Sequence, residues 1–344
     1  MPGDDYAGIS LKLHAYFSRR REEGLRAGRQ DLALVPDAAT IQKLINAAFW
    51  ASLRREEGYV PKISLAYLPA QPECSPVVLD RPLAVSADAL SRVSPAVESP
   101  GIHLGAFHDG NDLLVWGITL NIPELCFVLE VAEPGLLVIK HHTGDEKRKF
   151  HNVAVLEGDQ IKIIDASAAG PAAWFQSLDT TLKLAVAMRA HGRGGALLMV
   201  PATSDSWRES IMQPVPYAMS APSCEFAAMS DGIVSAIAGL TAVDGAVVLT
   251  DRYELLGFGA KIVRRRGRPL VEQVAMSEPV EGAVPALVHP EQLGGTRHFS
   301  AAQFIQDQND AVALIASQDG RFTVFEWSAE EQMVHAHRLD ALLL

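Results

Sequence analysis

The sequence predicts an α/β protein in which a C-terminal mixed sheet flanked by helices follows a smaller α+β domain. Residues 1–60 show helical periodicity, and short apolar runs at hairpin spacing continue to about residue 164. Beyond residue 177, apolar helices alternate with buried strands, the pattern of a sheet with helices on its faces. The predicted domains are residues 1–165 and 177–330, with a C-terminal tail over 331–344.

Composition and charge exclude several functional classes. Apolar residues make up 48% of the chain and charged residues 21%, as in ordinary soluble globular proteins. A net charge of -11 argues against a broad nucleic-acid surface, which needs a basic face. There is neither an apolar run of membrane-spanning length nor a signal-peptide pattern, so we expect a cytoplasmic protein with no membrane partner.

Three cysteines, Cys74, Cys126 and Cys224, lie far apart and form no C-x-x-C pair. Zinc binding and a disulfide framework both require closer or paired spacing. The pattern favours buried cysteines that pack as small apolar side chains.

The first 60 residues predict two helices. Residues 11–17 form a short amphipathic helix, and the charged run at 19–23 that follows it ends at Gly24. A second helix begins near Asp37 or Thr40, carries apolar residues on one face, and ends before Gly58. Solvated helix faces explain the charged runs more simply than contacts with nucleic acid.

The stretch from 61 to 164 predicts loops followed by short strands. Residues 61–100 have little periodicity and are predicted to be extended, with one helical turn at 88–92. The segments after them predict a small antiparallel unit, with strands at 102–107, 113–118, 125–131, 136–140, 153–156 and 161–164. His141 and His142 predict a polar hairpin tip, because adjacent side chains on a strand point to opposite faces and rarely share a metal ion.

The C-terminal half predicts alternating helices and strands after a linker near 165–171. Ser177 is a suitable N-cap for a helix that Gly192 ends, and residues 194–201 form a buried strand. Further elements are a helix near 229–240, strands at Asp244, 255–263, 311–316 and 322–327, and a helix after His298.

Two short segments in this half carry the residues suited to ligand chemistry. Asp244-Gly245-Ala246 leads into a β-branched run, as expected where a strand begins beside a ligand and no bulky side chain can intrude. Gly294-Gly295-Thr296-Arg297-His298 combines backbone amides, a hydroxyl, a guanidinium and an imidazole, which is a compact anion-binding set. A carboxylate for a metal ion or ribose, with an Arg-His pair for phosphates, would together suit a nucleotide.

The order of elements and these motifs resemble the diadenylate cyclase domain, also called the DisA N-terminal domain, over about 177–328. The family's I-G-A-L-I-V strand, D-G-A motif, G-T-R-H-R motif and S-E-E-T-G turn are matched in turn by Gly194-Gly195-Ala196-Leu197-Leu198-Met199-Val200, Asp244-Gly245-Ala246, Gly295-Thr296-Arg297-His298 and, loosely, Ser317-Gln318-Asp319-Gly320.

The resemblance implies a site in which two ATP molecules are joined. It places Asp244, Gly245 and Ala246 near the base and metal ion, and Thr296, Arg297 and His298 on the phosphates, with Gly295 and Ser317 completing the ligand set. Two domains would meet face to face as a homodimer, each 3′-hydroxyl attacking the other α-phosphate. In an active enzyme Asp244, Arg297 and His298 would be catalytic, and Asp244 and Asp319 would hold Mg²⁺ or Mn²⁺.

Two positions depart from the family's active pattern. Phe299 stands where a second arginine is expected, and Gln318 stands where the first acidic residue is expected. Losing a transition-state cation and a metal-binding carboxylate weakens catalysis more than binding. Divergent relatives with an extra N-terminal region, the DACNV group, have been proposed as nucleotide sensors in bacterial conflict systems, and this chain resembles them.

Three interpretations follow. The first is a sensor with a degenerate cyclase-like domain that binds a nucleotide or cyclic nucleotide and signals to an effector protein. The second is an active cyclase that converts two ATP to cyclic di-AMP and pyrophosphate. The third is a structural interaction module in which the old pocket is filled. The arginine cluster at 264–268 is either a further phosphate contact or, as we favour, an exposed hairpin tip.

Overall fold

The chain forms two compact units, one up to residue 164 and the other from residue 165. The computed structural model describes residues 6–55, 60–70, 77–145, 149–158, 160–164, 178–223 and 231–343. Each unit has a mixed sheet and its own hydrophobic core, which confirms the predicted α/β class. The predicted linker at 165–171, Ser177, Gly58, Cys74 and Cys224 lie outside the described residues.

Helices cover an eight-stranded sheet in the first unit. Its strand order is β2-β4-β3-β1-β5-β6-β7-β8. The elements are α1 (Tyr6–Arg26), α2 (Ala38–Ser52), β1 (Ser64–Tyr67), β2 (Val77–Ala84), α3 (Ala87–Val93), β3 (His103–Asp109), β4 (Asp112–Thr119), β5 (Phe127–Glu133), β6 (Leu136–His142), β7 (Phe150–Glu157) and β8 (Gln160–Ile163).

Helix α1 is longer than the sequence predicts. It continues through Gly24, which is buried beneath Leu32, and includes the whole charged run. Leu11, the first residue of the predicted amphipathic helix over 11–17, is exposed, because the buried stripe is formed by Tyr6, Ile9, Leu13 and Phe17. Helix α2 begins as predicted after Asp37, whose Oδ1 accepts a hydrogen bond from the Thr40 amide at 2.7 Å.

The region predicted to be mainly loops contains two strands. Strand β1 lies inside the sheet, parallel to β3 and antiparallel to β5, so the sheet is mixed and not a small antiparallel unit. All four residues of β1 are buried, which removes the alternation that would predict a strand. His141 and His142 lie at the end of β6, and His141 is buried, so the prediction of a polar hairpin tip is wrong.

A nine-stranded sheet forms the second unit, with helices on both faces. Its strand order is β10-β12-β11-β9-β15-β16-β17-β13-β14. The elements are α4 (Leu178–Ala190), β9 (Gly195–Val200), β10 (Tyr217–Ser223), α5 (Asp231–Thr241), β11 (Ala246–Thr250), β12 (Leu255–Ala260), β13 (Val274–Ser277), β14 (Ala286–Val288), α6 (Thr296–Asp307), β15 (Val312–Ala316), β16 (Phe322–Ser328) and β17 (Met333–Arg338).

Alternation along the central strands builds two core layers in this unit. On one face, Leu197 of β9 packs in a cluster with Met188 of α4 and Ile237 of α5. On the other face, Leu198 packs in a cluster with Phe304 of α6. Adjacent residues of one strand therefore serve opposite layers, as the period-two geometry of a strand requires.

Three features of the second unit differ from the sequence-based prediction. Helix α6 begins at Thr296, before His298 and not after it. Strands β10, β13 and β14 are absent from the prediction, because they are short or lie at the sheet ends. Residues 331–344, predicted to be a tail, contain β17, which pairs with β16 and β13 inside the sheet.

Candidate functional site

A cavity of about 640 Å³ opens in the second unit. Every residue predicted to bind the ligand lines it, although the sequence places them in three separate segments. These residues are Asp244, Gly245, Ala246, Gly295, Thr296, Arg297, His298 and Ser317. The geometry brings the predicted set together, and their binding of a ligand stays a prediction. The described side chains leave this cavity open, which argues against the interpretation with a filled pocket.

Sheet topology explains why these segments meet. Strand β9 lies between β11, to which it is parallel, and β15, to which it is antiparallel. The beginnings of β11 and β9 therefore share one edge of the sheet with the end of β15, where Ala316 pairs with Gly195. Asp244 precedes β11 and Ser317 follows β15, so both reach this edge. The first turn of α6 forms another wall.

Gly245 permits a close backbone approach at the base of the cavity. Its φ of +114° lies in a region that side chains disfavour. A Cβ atom there would lie 2.4 Å from the backbone carbon of Gly259, so the two chains could not pass as they do. A glycine at this position is thus required by both conformation and space.

Asp244 and Lys261 form an ion pair at the cavity. The Lys261 Nζ lies 2.5 Å from the Asp244 Oδ2. The Asp244 side chain is 93% exposed and the Lys261 side chain is 43% exposed, so solvent and solutes reach both. The hydrogen bond and the charge of Lys261 lower the pKa of Asp244. The carboxylate is therefore ionised at neutral pH and already holds a cationic partner.

Helix α6 presents its N-terminus to the cavity. Gly295 is the N-cap, in extended conformation, and offers no side chain to cap the first-turn amides. Such a helix end attracts anions through its amide groups and its dipole. Arg297 is exposed in this first turn and adds a permanent positive charge. Its guanidinium lies close to Gly194, where a Cβ atom would be 3.0 Å from the Arg297 Nη1.

His298 differs in character from its neighbours in the motif. Its side chain is buried, with Nε2 3.4 Å from the Thr323 hydroxyl and the ring edge-on to Phe325. Gly294 makes room for it, since a Cβ there would lie 2.3 Å from His298 Nδ1. Burial lowers the pKa of His298 to about 4. The imidazole is therefore neutral at pH 7 and can contribute a hydrogen bond but not a charge.

The turn after β15 supplies Ser317, Gln318 and Asp319 to the cavity. Asp319 faces its own turn: its Oδ1 accepts a hydrogen bond from the Arg321 amide at 3.3 Å, and its Oδ2 lies 3.4 Å from Arg321 Nε. Gln318 is a neutral amide whose Nε2 donates to the Arg193 carbonyl at 3.4 Å.

These donors do not fit a divalent cation in this arrangement. Each of the two carboxylates, Asp244 and Asp319, is engaged by a basic side chain, and Gln318 brings no charge. Within the described ranges, no group of three or more His, Cys, Asp or Glu side chains is placed to hold a metal ion. At nucleotide sites Mg²⁺ is held by one or two carboxylates together with the phosphates, and here both candidate carboxylates face basic side chains.

Phe299 does not line the cavity. It packs against the core beneath α6 and stacks on His289, with ring centroids 6.1 Å apart. The side chain at this position therefore belongs to the packing of the helix and not to the cavity wall.

Sequence reasoning missed Lys261. The pairing of Ala246 with Ala260 in the β11–β12 hairpin places Asp244 and Lys261 at the same end of that hairpin. An antiparallel pairing predicted from the two apolar runs would have revealed it, but the register shifts within the hairpin obscure the alignment. The arginine cluster at 264–268 is mostly exposed and does not line this cavity. The strands on either side of it, β12 and β13, do not pair with each other, so the favoured prediction of a hairpin tip is wrong.

Part of the first unit is similar to a known family. Residues 30–120 match the family model of the probable sensor domain DACNV. The predicted resemblance to the DACNV group is thereby confirmed over that segment. The match extends from before α2 to the end of β4, whereas the diadenylate-cyclase motifs lie in the second unit.

Two solved structures are similar to parts of the chain. One is a hypothetical membrane spanning protein from Bacillus cereus, with 16% identity and a TM-score of 0.30 over 47% of this chain and 63% of that one. The other is a double mutant of DacA from Staphylococcus aureus, with 16% identity and a TM-score of 0.27 over 46% and 84%. No curated protein matches the chain. Among the helices described, none is both long and apolar enough to cross a bilayer.

Proposed function

We propose that this protein is a nucleotide-binding sensor whose second unit holds a nucleotide or cyclic nucleotide in the cavity beside α6. The observation that carries the proposal is the convergence of the Asp244, Arg297 and Ser317 segments on one cavity. The volume of about 640 Å³ falls within the range usual for small-molecule sites.

The two sides of the cavity suit the two parts of a nucleotide. The N-terminus of α6 and the guanidinium of Arg297 offer amides and positive charge to a phosphate. The apolar part of the lining includes Ala196, Ala246 and Ile315; Ile315 is fully buried and the two alanines are at most 5% exposed, so a base would touch only their cavity-facing edge. An amphipathic ligand with an anionic end matches this division.

The same site is poorly equipped for cyclase chemistry. Joining two ATP molecules requires stabilisation of the charge that develops on phosphorus and pyrophosphate. Phe299 supplies no charge to the cavity, and both carboxylates suited to a metal ion have basic partners. Binding needs fewer groups than transition-state stabilisation, so binding without turnover is the function that this arrangement favours.

The match to a probable sensor domain lies in the first unit and supports the sensor role. In this proposal the second unit binds the ligand, and the first unit passes the bound state to an effector protein. Signalling in a bacterial defence context is part of the same proposal.

Binding to the purified full-length chain tests the proposal. We expect calorimetry to detect binding of ATP or cyclic di-AMP, and chromatography after incubation of the protein with ATP and Mn²⁺ to show no cyclic dinucleotide. Absence of binding by both probes would overturn the nucleotide site. A cyclic dinucleotide product would replace the sensor with an active cyclase.

Arg297→Ala is the variant that tests the site itself. It removes a charge-assisted contact worth about 1.5–3 kcal/mol, so we expect the affinity for the bound probe to fall by at least about tenfold. Arg266→Ala is the matched control, because Arg266 is exposed in the 264–268 turn and does not line the cavity. Equal losses in the two variants would indicate nonspecific attraction of the anion.

A further inference from the structure

The Lys261 ammonium lies where a metal ion bound by the Asp244 carboxylate would lie, and it is also positively charged. The ammonium lies 2.5 Å from the carboxylate, closer than a water-mediated contact allows, and Lys261 lines the cavity with Asp244. A divalent ion bound by Asp244 would have to displace it. We propose that Lys261 replaces a divalent metal ion at this site, so that the cavity takes its anionic ligand without a metal. This inference rests on the proposed nucleotide-binding function.

The backbone holds Lys261 in place for this role. The Lys261 carbonyl accepts a hydrogen bond from the Met212 amide at 2.8 Å, and the next residue, Ile262, forms an antiparallel bridge with Ile211. On the other side, β12 pairs with β11 and so ties Lys261 to the segment that carries Asp244. The flexible part is the side chain alone, which can turn from the carboxylate to a phosphate.

The ion pair is of the kind that a ligand can rearrange. Exposed lysine–carboxylate pairs contribute little to stability, since solvent screens them and side-chain entropy opposes them. A phosphate placed at the N-terminus of α6 can therefore recruit the Lys261 ammonium without a large cost to the fold. Lys261 and Arg297 would then neutralise the phosphate charge that a metal ion neutralises in a metal-dependent site.

The other carboxylate of the cavity lining, Asp319, does not provide a second ligand for a metal ion. Asp319 faces Arg321, and Gln318 replaces the residue from which a second carboxylate would be expected. A metal ion would thus meet the positively charged Lys261, Arg297 and Arg321 in or beside the cavity with no pair of free carboxylates to hold it. The balance of charge favours a ligand that brings its own negative charge.

The first test measures ATP affinity with EDTA and with excess Mg²⁺, for the full-length protein and its variants. Mg²⁺ forms a complex with free ATP to the same extent for every variant. The ratio of the ATP affinity in Mg²⁺ to that in EDTA, compared between variants, therefore reports the contribution of the protein. We expect the wild-type chain and Lys261→Arg to bind ATP in EDTA. Lys261→Met should lose at least about tenfold in EDTA, the size expected for one charge-assisted contact, and recover part of it with Mg²⁺ as Asp244 becomes free.

Wild-type binding only with Mg²⁺, or undiminished binding by Lys261→Met in EDTA, would overturn the inference. The Lys261 side chain is 43% exposed, so Lys261→Met should not disturb folding, and an unchanged thermal midpoint will show that any loss of affinity is not a loss of stability. Failure of the wild-type chain to bind ATP under either condition would count against the proposed function instead.

A second measurement needs no nucleotide. Binding of Mn²⁺ is followed by electron paramagnetic resonance for the wild-type chain and for Asp244→Asn. We expect identical isotherms, because a single exposed carboxylate beside the Lys261 ammonium, with Asp319 paired to Arg321, gives Mn²⁺ no second free carboxylate to complete a site. Loss of a Mn²⁺ site in Asp244→Asn would show that the carboxylate does hold a metal ion and would overturn the inference, whatever the outcome with ATP.

Discussion

At the scale of single residues, the cavity depends on glycines that no other residue can replace. Gly245 allows the chain before β11 to pass against Gly259, which itself adopts a φ of +71°. Gly245 is adjacent to Asp244 in the chain, and Gly259 lies two residues before Lys261. The backbone that supports this pair is therefore fixed by van der Waals contact and not by the ion pair.

Gly245→Ala should destabilise the protein by about 2–4 kcal/mol, since the added methyl group meets backbone atoms and the φ value is unfavourable. The free energy of unfolding in urea measures the effect. Gly239→Ala is the control, because Gly239 is exposed on α5 and a Cβ there has open space around it. Alanine should be neutral or slightly stabilising at that helical position. Equal effects of the two substitutions would contradict the steric argument.

At the scale of elements, the two ends of α6 have different roles. Its first turn lines the cavity, and its last turns hold the segment at 265–271 through side-chain hydrogen bonds. Gln303 is buried on the side of the helix that meets the chain at 269–271. Its Oε1 accepts from the Val271 amide at 3.0 Å, and its Nε2 donates to the Pro269 carbonyl at 3.1 Å and to Asp307 Oδ1 at 3.0 Å. Asp307 in turn accepts from the Arg265 amide at 2.6 Å. These contacts hold the arginine turn to the helix.

Gln303→Leu should cost about 1–3 kcal/mol, because it leaves the buried Val271 amide without its partner, whereas the exposed Pro269 carbonyl can be hydrated instead. Thermal unfolding gives the stability, and hydrogen exchange of the Val271 amide reports the local loss. Gln306→Leu, one turn away on the same helix and partly exposed, is the matched control. Unchanged exchange at Val271 in Gln303→Leu would show that the side-chain network does not hold this segment.

At the scale of the whole molecule, each unit buries a histidine that resists protonation. Burial lowers the pKa of His103 in the first unit and of His298 in the second to about 4. His103 is held by the Ser64 hydroxyl, 2.7 Å from its Nδ1. In the unfolded chain both rings titrate near their usual value of about 6.5. The unfolded state therefore binds more protons between about pH 4 and 6.5, and stability falls as the pH decreases through that range.

We expect the urea midpoint to drop between pH 7 and pH 4.5, and this pH dependence to weaken in His103→Asn and His298→Asn. Burial raises the pKa of Asp307 and of Asp340, which opposes the histidine effect at acidic pH, so the comparison between variants is the decisive measurement. Gln306→Leu, which removes no titratable group, should keep the wild-type pH profile. A wild-type slope retained in both buried-histidine variants would refute the assignment.

Local patterns in the sequence determined much of the fold. The apolar periodicity and capping of α2 and the central strands β9, β11, β15 and β16 follow from side chains that are close along the chain. The Asp244 and Gly295 to His298 motifs also identified the residues that meet at the cavity. Such features need no knowledge of distant partners, because propensity, capping and alternation act over a few residues.

Only the tertiary structure decided the features that depend on distant pairing. It placed β1 inside its sheet and β17 between β16 and β13. It buried His298 and packed the half-buried Phe299 against the core outside the cavity lining, so that these two neighbours in the chain have different surroundings. It also brought Lys261 to Asp244, which changes the charge available to a ligand. Register and burial arise from contacts across the fold, so local patterns along the chain do not reveal them.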